Sequence, residues 1–329
     1  MVPLFTARDV EQAVSPERAL EAVRDAFLAY ARGDWTMPPK VYVPAYPGGD
    51  FRAMPALGGG HASLKWVTSF PGNPARGLPT VTGVVLLSDA SDGRLVAVLD
   101  AATVTALRTG AAAVLAAEVL GRPGIAAVIG AGVNGKAAAR TFLARGQDVA
   151  LWDVDPARAE AAADELGASV AGSLGEALAA DRLVTMTPGH EVLLGEGVLR
   201  PGQHVSLMGA DGPGKAEIAV AELARTQVFR DDWEETGTNG TTQGTVRLFC
   251  DDWTQASHGG ELAAAVEAGL VTHERVTELG TVLAGEAQGR QADADVTLFD
   301  STGLAIQDLA IALAALERTS ELDLAQLDL

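Results

Sequence analysis

A glycine-rich turn between a short apolar run and an alanine-rich segment is the feature that most constrains the fold. The run 125–129 leads into Gly130-Ala-Gly-Val-Asn-Gly135, and residues 136–143 favour a helix. In such a unit, the first glycine permits a tight turn, the second lets the backbone approach a pyrophosphate, and the third lets the helix pack on the strand. The pyrophosphate would lie at the helix N-terminus, where N–H groups and the helix dipole favour an anion. The pattern therefore predicts a dinucleotide-binding unit rather than a bare turn.

An acidic residue at the end of the next apolar run indicates which dinucleotide binds. Asp153 follows the run 149–152 and stands 23 residues after Gly130. At this position a carboxylate accepts hydrogen bonds from the adenosine ribose. Because the same carboxylate would repel a 2′-phosphate, the sequence favours NAD over NADP.

The length of the chain and the late position of the glycine-rich turn predict two domains. A chain of 329 residues is too long for one ordinary core. From residue 125 onward, strand-like runs alternate with helical segments, which predicts a parallel, doubly wound sheet. Before this point, strand-like runs precede a long helix at about 101–120, and the Gly/Pro cluster 121–124 marks the predicted boundary. The apolar final helix, 304–318, is expected to pack back on the first domain.

Charge and cysteine usage argue against several classes of partner and compartment. The chain has 43 acidic and 24 basic residues, giving a net charge of −19, which argues against nucleic acid and anionic membranes as partners. The one cysteine, Cys250, cannot form an intrachain disulfide and fits a reducing cytoplasm. We expect no signal peptide and no apolar run that spans a bilayer. The histidines show no metal-ligand spacing, so no metal is expected.

Two basic residues stand in apolar strand-like segments of the first domain. Arg52 is either a buried ion-pair member or a bidentate ligand for a substrate carboxylate. Lys65 lies between Leu64 and Trp66, where a lysine is costly unless it is paired or functional. Because the chain has only four lysines, we favour acid–base function for Lys65 over a strand lysine that reaches to solvent.

Two further charged residues flank the predicted cofactor domain. Arg108 either pairs with the abundant acids or reaches a cofactor phosphate or a substrate carboxylate. Asp211 precedes Gly-Pro-Gly at the end of the predicted strand 204–208. In an open parallel sheet the carboxyl ends of the strands face the ligand crevice, so this position favours catalysis over a role in the turn alone.

Several segments resemble the ornithine cyclodeaminase/mu-crystallin family, and most closely its archaeal alanine dehydrogenase branch. The matches run in order from about residue 10 to 318. They are Met37-Pro-Pro-Lys-Val-Tyr42, Arg52-Ala-Met-Pro55, Leu64-Lys-Trp-Val67, Phe70-Pro-Gly-Asn73, Gly77-Leu-Pro-Thr-Val81, Leu107-Arg-Thr-Gly-Ala111, Gly209-Ala-Asp-Gly-Pro-Gly-Lys215 and Phe299-Asp-Ser-Thr-Gly-Leu-Ala-Ile-Gln-Asp308.

The resemblance implies a role for each matching residue. Lys65 would transfer protons, and Asp211 would be the general base. The residues implied to contact the substrate are Arg52, Lys65, Arg108 and Thr302. The residues implied to contact NAD are Thr80, Arg108, Gly130, Gly132, Val133, Asn134, Gly135, Asp153, Thr187, Met208, Gly209, Ala210, Lys215 and Ser301.

The resemblance also implies the architecture and the reaction. The fold would be α/β, with a discontinuous α+β substrate-binding and dimerisation domain (1–121 and 302–329) and a Rossmann domain with a doubly wound parallel sheet (122–301). The chain would form a homodimer. The implied reaction is reversible and converts L-alanine, NAD and water to pyruvate, ammonia and NADH. The alternatives are cyclodeamination of L-ornithine to L-proline, reduction of cyclic imines, and low-turnover dinucleotide-dependent binding of the crystallin type.

The acid-rich, lysine-poor composition predicts a protein adapted to high salt. Repulsion between like charges reaches farthest at low ionic strength, with a Debye length of roughly 30 Å at 0.01 M and about 3 Å at 1 M. We therefore expect the thermal midpoint and the activity to rise between these two KCl concentrations. A midpoint that does not change with salt would leave the net charge as a solubility feature only.

Overall fold

A computed structural model describes residues 1–212, 214–231 and 241–328. The chain divides into two units. The first comprises Met1–Arg108 and Leu304–Leu329, and the second comprises Thr109–Gly303. The second unit is thus inserted into the first along the sequence.

The first unit is built on a seven-stranded sheet. Its strands run in the order β16-β1-β6-β5-β4-β3-β2, and all neighbours are antiparallel except β1 and β6. The strands are β1 (Val2–Phe5), β2 (Val41–Ala45), β3 (Gly49–Gly58), β4 (His61–Ser69), β5 (Val81–Asp89), β6 (Leu95–Asp100) and β16 (Ala325–Leu327). The helices are α1 (Ala7–Ala13), α2 (Pro16–Ala31), the first part of α3 (Ala101–Leu120) and α11 (Ala305–Leu316), and short 3₁₀ turns lie at Asn73–Arg76 and Thr319–Glu321.

Local sequence explains how α2 begins and which face it buries. The Ser15 side chain accepts a hydrogen bond from the Arg18 backbone N–H, and Pro16 occupies the first helical turn, where its missing N–H costs nothing. The apolar stripe of this helix, which includes Val23 and Phe27, is buried. Helix α11 packs on α2 and on the middle strands of the sheet, so the prediction that the last helix returns to the first domain is confirmed.

The second unit is built on a mostly parallel sheet. Its strand order is β9-β8-β7-β10-β11-β15-β13-β12, with β14 pairing with β13, and only β12 and β13 are antiparallel. The strands are β7 (Ala126–Ile129), β8 (Val149–Trp152), β9 (Ser169–Val170), β10 (Arg182–Thr185), β11 (His204–Leu207), β12 (Gln227–Asp231), β13 (Thr241–Cys250), β14 (Val276–Glu278) and β15 (Val296–Asp300). This is the order of the doubly wound nucleotide-binding fold, so the predicted α/β fold class is confirmed.

Helices connect the strands of this second sheet. They are the last part of α3, α4 (Val133–Ala144), α5 (Pro156–Leu166), α6 (Leu174–Leu178), α7 (Val220–Ala224), α8 (Trp253–Gly259), α9 (Ala263–Glu267) and α10 (Leu279–Leu283), with a 3₁₀ turn at His273–Arg275. The sequence pattern over 275–288 favours a helix, but the helix in this range is limited to α10, because residues 276–278 pair with β13 as a strand. The ten-residue strand β13 escaped prediction because threonine, glycine and arginine interrupt its apolar residues.

Helix α3 crosses from one unit to the other, and its bounds agree with the sequence prediction. The division falls at Arg108–Thr109, inside the helix, whereas the Gly/Pro cluster 121–124 placed the boundary after it. The difference arises because the second part of α3 packs closely against α4 around Gly110.

Helix α3 differs from the expectation that no apolar run of the chain is long enough to span a bilayer. Among the described residues, this helix alone is long and apolar enough to cross a membrane by length and composition. However, 67% of its most apolar window is buried inside the fold, and residues 111–117 have no solvent exposure. Most of the apolar surface of α3 is therefore covered by protein.

The close approach of α3 to α4 predicts that a glycine-to-alanine substitution in α3 lowers stability, whereas in an ordinary helix position it raises stability. A Cβ on Gly110 would lie 2.6 Å from the Ala137 carbonyl carbon, so Gly110→Ala should destabilise the protein, although alanine is favoured over glycine by about 1 kcal/mol in a helix. A matched control is Gly175→Ala in α6, where the nearest atom would be 3.8 Å away. Chemical denaturation should show Gly110→Ala less stable than wild type and Gly175→Ala equally or more stable. Stabilisation by Gly110→Ala would contradict the close packing.

Candidate functional site

Lys65 is buried beneath the helical layer of the first unit. It alternates along β4 with the exposed residues Leu64 and Trp66, so it faces the covered side of the sheet, and it is 1% exposed. Its Nζ lies 2.8 Å from Oδ1 and 2.7 Å from Oδ2 of Asp308, and it donates to the Thr105 hydroxyl at 3.3 Å. A buried lysine of this kind is stable only because a carboxylate meets it.

Asp308 forms ion pairs with two cations, Lys65 and Arg108. It lies in the first turn of α11 and is 1% exposed, and its Oδ1 is 3.4 Å from Nε of Arg108 on α3. Two positive side chains and one carboxylate therefore form a cluster whose formal charge is +1 when Lys65 is protonated. A small anion such as a substrate carboxylate would balance that charge.

The surroundings of Lys65 bring its proton affinity close to neutrality. Burial lowers the pKa of Lys65 to about 7; Asp308 acts in the opposite direction, and Arg108 lowers the pKa further. A group that exchanges its proton near neutral pH suits general acid–base catalysis. The sequence prediction of acid–base function thus gains a physical basis.

Arg52 lies on the same face of the sheet as Lys65. Arg52 pairs with Val67 and Lys65 with Met54, so the two basic residues are diagonal neighbours on β3 and β4. The Arg52 guanidinium donates from Nε to Asp50 at 2.6 Å and from Nη2 at 3.2 Å. The ion-pair alternative for Arg52 is therefore observed, and its contact with a substrate stays a prediction. Tyr42 stacks beside it, with its ring centre 5.3 Å from the guanidinium carbon.

The glycine-rich turn of the second unit fits a pyrophosphate. Gly130 adopts a φ of 101°, in the left-handed region, and a Cβ on Gly135 would overlap the Gly130 carbonyl oxygen. Both glycines are therefore required by the protein itself. At Gly132, by contrast, no described atom lies within 4 Å of an added Cβ. Val133 and Asn134, the first residues of α4, follow Gly132 directly. The backbone N–H donors of the helix N-terminus therefore lie next to the open space at Gly132.

Asp153 holds the glycine-rich turn against the end of β8. Its Oδ2 accepts from the Ala131 backbone N–H at 2.8 Å, and its Oδ1 accepts from the Asp155 N–H at 3.0 Å. Arg158 lies beside the same carboxylate, with Nη1 at 3.3 Å from Oδ1. The role of Asp153 on a ribose stays a prediction, and its pairing with Arg158 was not foreseen.

The remaining predicted residues lie at the carboxyl ends of neighbouring strands. Thr187 follows β10, the segment Met208–Ala210 follows β11, and Ser301 and Thr302 follow β15. Asp211 is paired with Lys215 at 2.6 Å. In the first unit, Thr80 precedes β5, and its carbonyl accepts from the Phe70 N–H at 2.8 Å.

Buried carboxylates that the sequence analysis missed support these strand ends. Glu217 accepts from Thr187 and Gly209, and Asp251 accepts from Ser301, Thr302 and the Gly303 N–H. Asp308 was also given no role. A single signal, an acid inside an apolar stretch, is common to Glu217 and Asp308 and could have drawn attention to both.

Comparison with known proteins gives matches over nearly the whole chain. The model of the ornithine cyclodeaminase/mu-crystallin family matches residues 2–322. The alanine dehydrogenase of Archaeoglobus fulgidus is 38% identical, covering 95% of this chain and 94% of the relative. The ornithine cyclodeaminase of Agrobacterium tumefaciens is 32% identical, covering 80% and 70%. A solved archaeal alanine dehydrogenase dimer with bound NAD superposes with a TM-score of 0.86 at 37% identity, covering 97% of this chain and 96% of that one. The predicted resemblance is confirmed.

The charges around Lys65 predict opposite pKa changes in two variants. Asp308→Asn removes the carboxylate that favours the ammonium, so the pKa of Lys65 should fall below about 7. Arg108→Gln removes a neighbouring positive charge, so the pKa should rise. Because the chain has only four lysines, a carbon-13 NMR titration of their Cε atoms can follow Lys65 directly. Equal pKa values in wild type and both variants would contradict the cluster.

Proposed function

We propose that this chain, which belongs to the ornithine cyclodeaminase/mu-crystallin family, catalyses NAD-dependent oxidative deamination of a small L-amino acid, with L-alanine as the leading substrate. The observation that carries the proposal is the buried Lys65, whose pKa is about 7 and whose partners are Asp308 and Arg108. The 38% identity to an alanine dehydrogenase supports the choice of substrate.

NAD is the cofactor, and the second unit fits it. The turn from Gly130 to Gly135, the start of α4 and Asp153 would hold the pyrophosphate and the adenosine ribose. When bound, NAD supplies the acceptor for the hydride from the amino-acid Cα. The other parts of the reaction fall to side chains of this chain.

The basic residues of the first unit would bind the substrate carboxylate and move its protons. The guanidinium groups of Arg52 and Arg108 supply the donors that a carboxylate requires. Neutral Lys65 would accept a proton from the substrate ammonium, which frees the nitrogen lone pair. After oxidation, the protonated Lys65 and the carboxylate of Asp211 would assist the attack of water on the iminium carbon, so that ammonia leaves and a 2-oxo acid remains.

Cyclodeamination of L-ornithine is the second candidate. The relative from Agrobacterium tumefaciens is 32% identical, and the same acid–base residues serve both reactions. In this alternative the distal amine of the substrate attacks the iminium carbon instead of water, so NADH is reused. Gly212 follows Asp211 here, where the cyclodeaminase branch tends to have a cysteine, and this difference favours the dehydrogenase.

The chain is proposed to act as a homodimer through the uncovered face of the first sheet. That face carries exposed apolar side chains on neighbouring strands, including Leu64, Trp66 and Val84. Contiguous exposed apolar surface of this kind marks an interaction site. The archaeal alanine dehydrogenase of similar structure is a dimer.

A cytoplasmic location is also proposed, because the one cysteine of the chain, Cys250, is free and buried and so fits a reducing compartment.

The proposed reaction can be tested by mixing the protein with NAD and L-alanine in high salt and following NADH absorbance. We expect NADH and pyruvate in equal amounts with L-alanine. Formation of L-proline from L-ornithine without net NADH would instead establish the second candidate.

Lys65→Met should lower turnover by a factor on the order of a hundred to ten thousand while NADH binding persists. Arg94→Met, which removes an exposed cation of the first unit that pairs with Asp89 and Asp92, is the control and should keep near-normal turnover.

Asp153 and Arg158 together predict a change of cofactor preference. Asp153→Ser removes the charge that repels a 2′-phosphate and leaves Arg158 available to bind one, so NAD affinity should fall and NADP affinity should rise. The added substitution Arg158→Gln should remove the gain in NADP binding. Asp164→Ser, which removes an exposed carboxylate later in α5, is the control. Fluorescence titrations with NADH and NADPH measure both affinities. Wild-type protein that binds NADPH as well as NADH would contradict the role of Asp153.

A further inference from the structure

Glu217 has an unusual number of well-placed donors for a buried carboxylate. The residue has no solvent exposure. Its Oε1 accepts from the backbone N–H of Thr187 at 2.9 Å and from the Thr187 hydroxyl at 2.5 Å. Its Oε2 accepts from the Thr185 hydroxyl at 2.5 Å and from the backbone N–H of Gly209 at 2.9 Å. Each carboxylate oxygen is thus held by one hydroxyl and one backbone N–H.

These donors belong to two different strand ends. Thr185 and Thr187 lie at the carboxyl end of β10, whereas Gly209 follows β11. The two strands are parallel neighbours in the sheet. A Cβ on Gly209 would overlap the Glu217 carboxyl group, so glycine is required for this approach. Glu217 therefore joins two adjacent loops on the side of the sheet where ligands bind in doubly wound folds.

The backbone of Glu217 is held by hydrogen bonds on both its N–H and its carbonyl group. Its backbone N–H donates to both oxygens of Glu261 at 2.9 Å, and its carbonyl accepts from the N–H groups of Leu193 and Leu194 at 2.8 and 2.9 Å. Burial, followed by the charge of Glu217, raises the pKa of Glu261 to about 9. Burial also raises the pKa of Glu217, and the hydrogen bonds from Thr185, Thr187 and Gly209 oppose that rise.

We propose that Glu217 is a positioning residue for the cofactor, whose carboxylate joins the loops after β10 and β11 and so fixes the surface that meets the nicotinamide end. The proposal rests on the use of NAD, and it does not depend on which amino acid is the substrate. The adenosine end would be held by other residues, in the glycine-rich turn and Asp153.

Glutamine at this position should fail although it has the same shape. Two of the four donors are backbone N–H groups, one to each carboxylate oxygen, and neither can turn into an acceptor. A glutamine has one oxygen, so one of these N–H groups would face an NH₂ group. A buried polar group without its partner is costly, and the two loops would separate or rotate to relieve it.

The test compares the binding of NADH with that of ADP-ribose, which lacks the nicotinamide. Glu217→Gln should weaken NADH binding by about tenfold, as expected for hydrogen bonds to a charged group, and leave ADP-ribose binding nearly unchanged. The matched control is Glu222→Gln. Glu222 is equally buried, and it accepts from the Gly197 N–H at 2.6 Å and pairs with Arg225, away from the strand ends. This control should lower stability without changing the ratio of the two affinities.

A second variant covers the case in which Glu217→Gln does not fold. Thr185→Val keeps the shape of a buried side chain and removes only its hydroxyl donor to Glu217, so the NADH to ADP-ribose ratio should shift in the same direction by about threefold. Parallel losses of both ligands, or an unchanged ratio in both variants, would overturn the role of Glu217. Wild-type protein that binds ADP-ribose and not NADH would overturn the cofactor assignment, and the proposal with it.

Discussion

The buried carboxylate of Asp308 is the interaction on which the first unit depends. It pairs with Lys65 of β4 and Arg108 of α3, and both cations are largely buried, with 2% and 12% of their side chains exposed. Removal of one partner from a buried pair costs about 3–5 kcal/mol, because a charge is left without compensation. The return of the chain to this unit after residue 303 is therefore a requirement, since it supplies the helix that carries Asp308. Burial lowers the pKa of Lys65 to about 7 and Asp308 opposes that fall, so the packing that hides the pair also sets its proton affinity.

Sequence patterns predicted the elements whose cause is local. The bounds of α3, the strand–turn–helix around Gly130 and the alternation of strands and helices after residue 125 follow from glycines and hydrophobic periodicity. The candidate basic residues were also found, because lysine and arginine in apolar strands are unusual. The pair between Lys65 and Asp308 could not be predicted, because 243 residues separate its members. The strand β9 has only two residues, and in β13 the apolar residues are confined to the second half, at Val246, Leu248 and Phe249.

The acid-rich composition has two different uses in the fold. Many acids are exposed, but several are buried and accept backbone N–H groups at turns and strand ends. The buried acids are Asp153, Glu217, Glu222, Asp251, Asp252, Glu261, Asp295, Asp300 and Asp308. All of them except Asp308, which pairs with two cations, accept backbone N–H groups in place of water. The formal charge of −19 therefore overstates the charge that solvent meets, particularly where a raised pKa keeps a carboxyl such as Glu261 neutral.

The division of α3 at Arg108 has a topological consequence. Arg108 and Asp308 touch within the first unit, so the chain leaves that unit and re-enters it at nearly the same place. Residues 109–303 thus have the form of a domain insertion, whose two junctions are already held together by an ion pair of the host. A short linker in place of the insert would leave the strand order of the host sheet unaltered. The basic cluster and the nucleotide-binding sheet would then belong to two separate polypeptides.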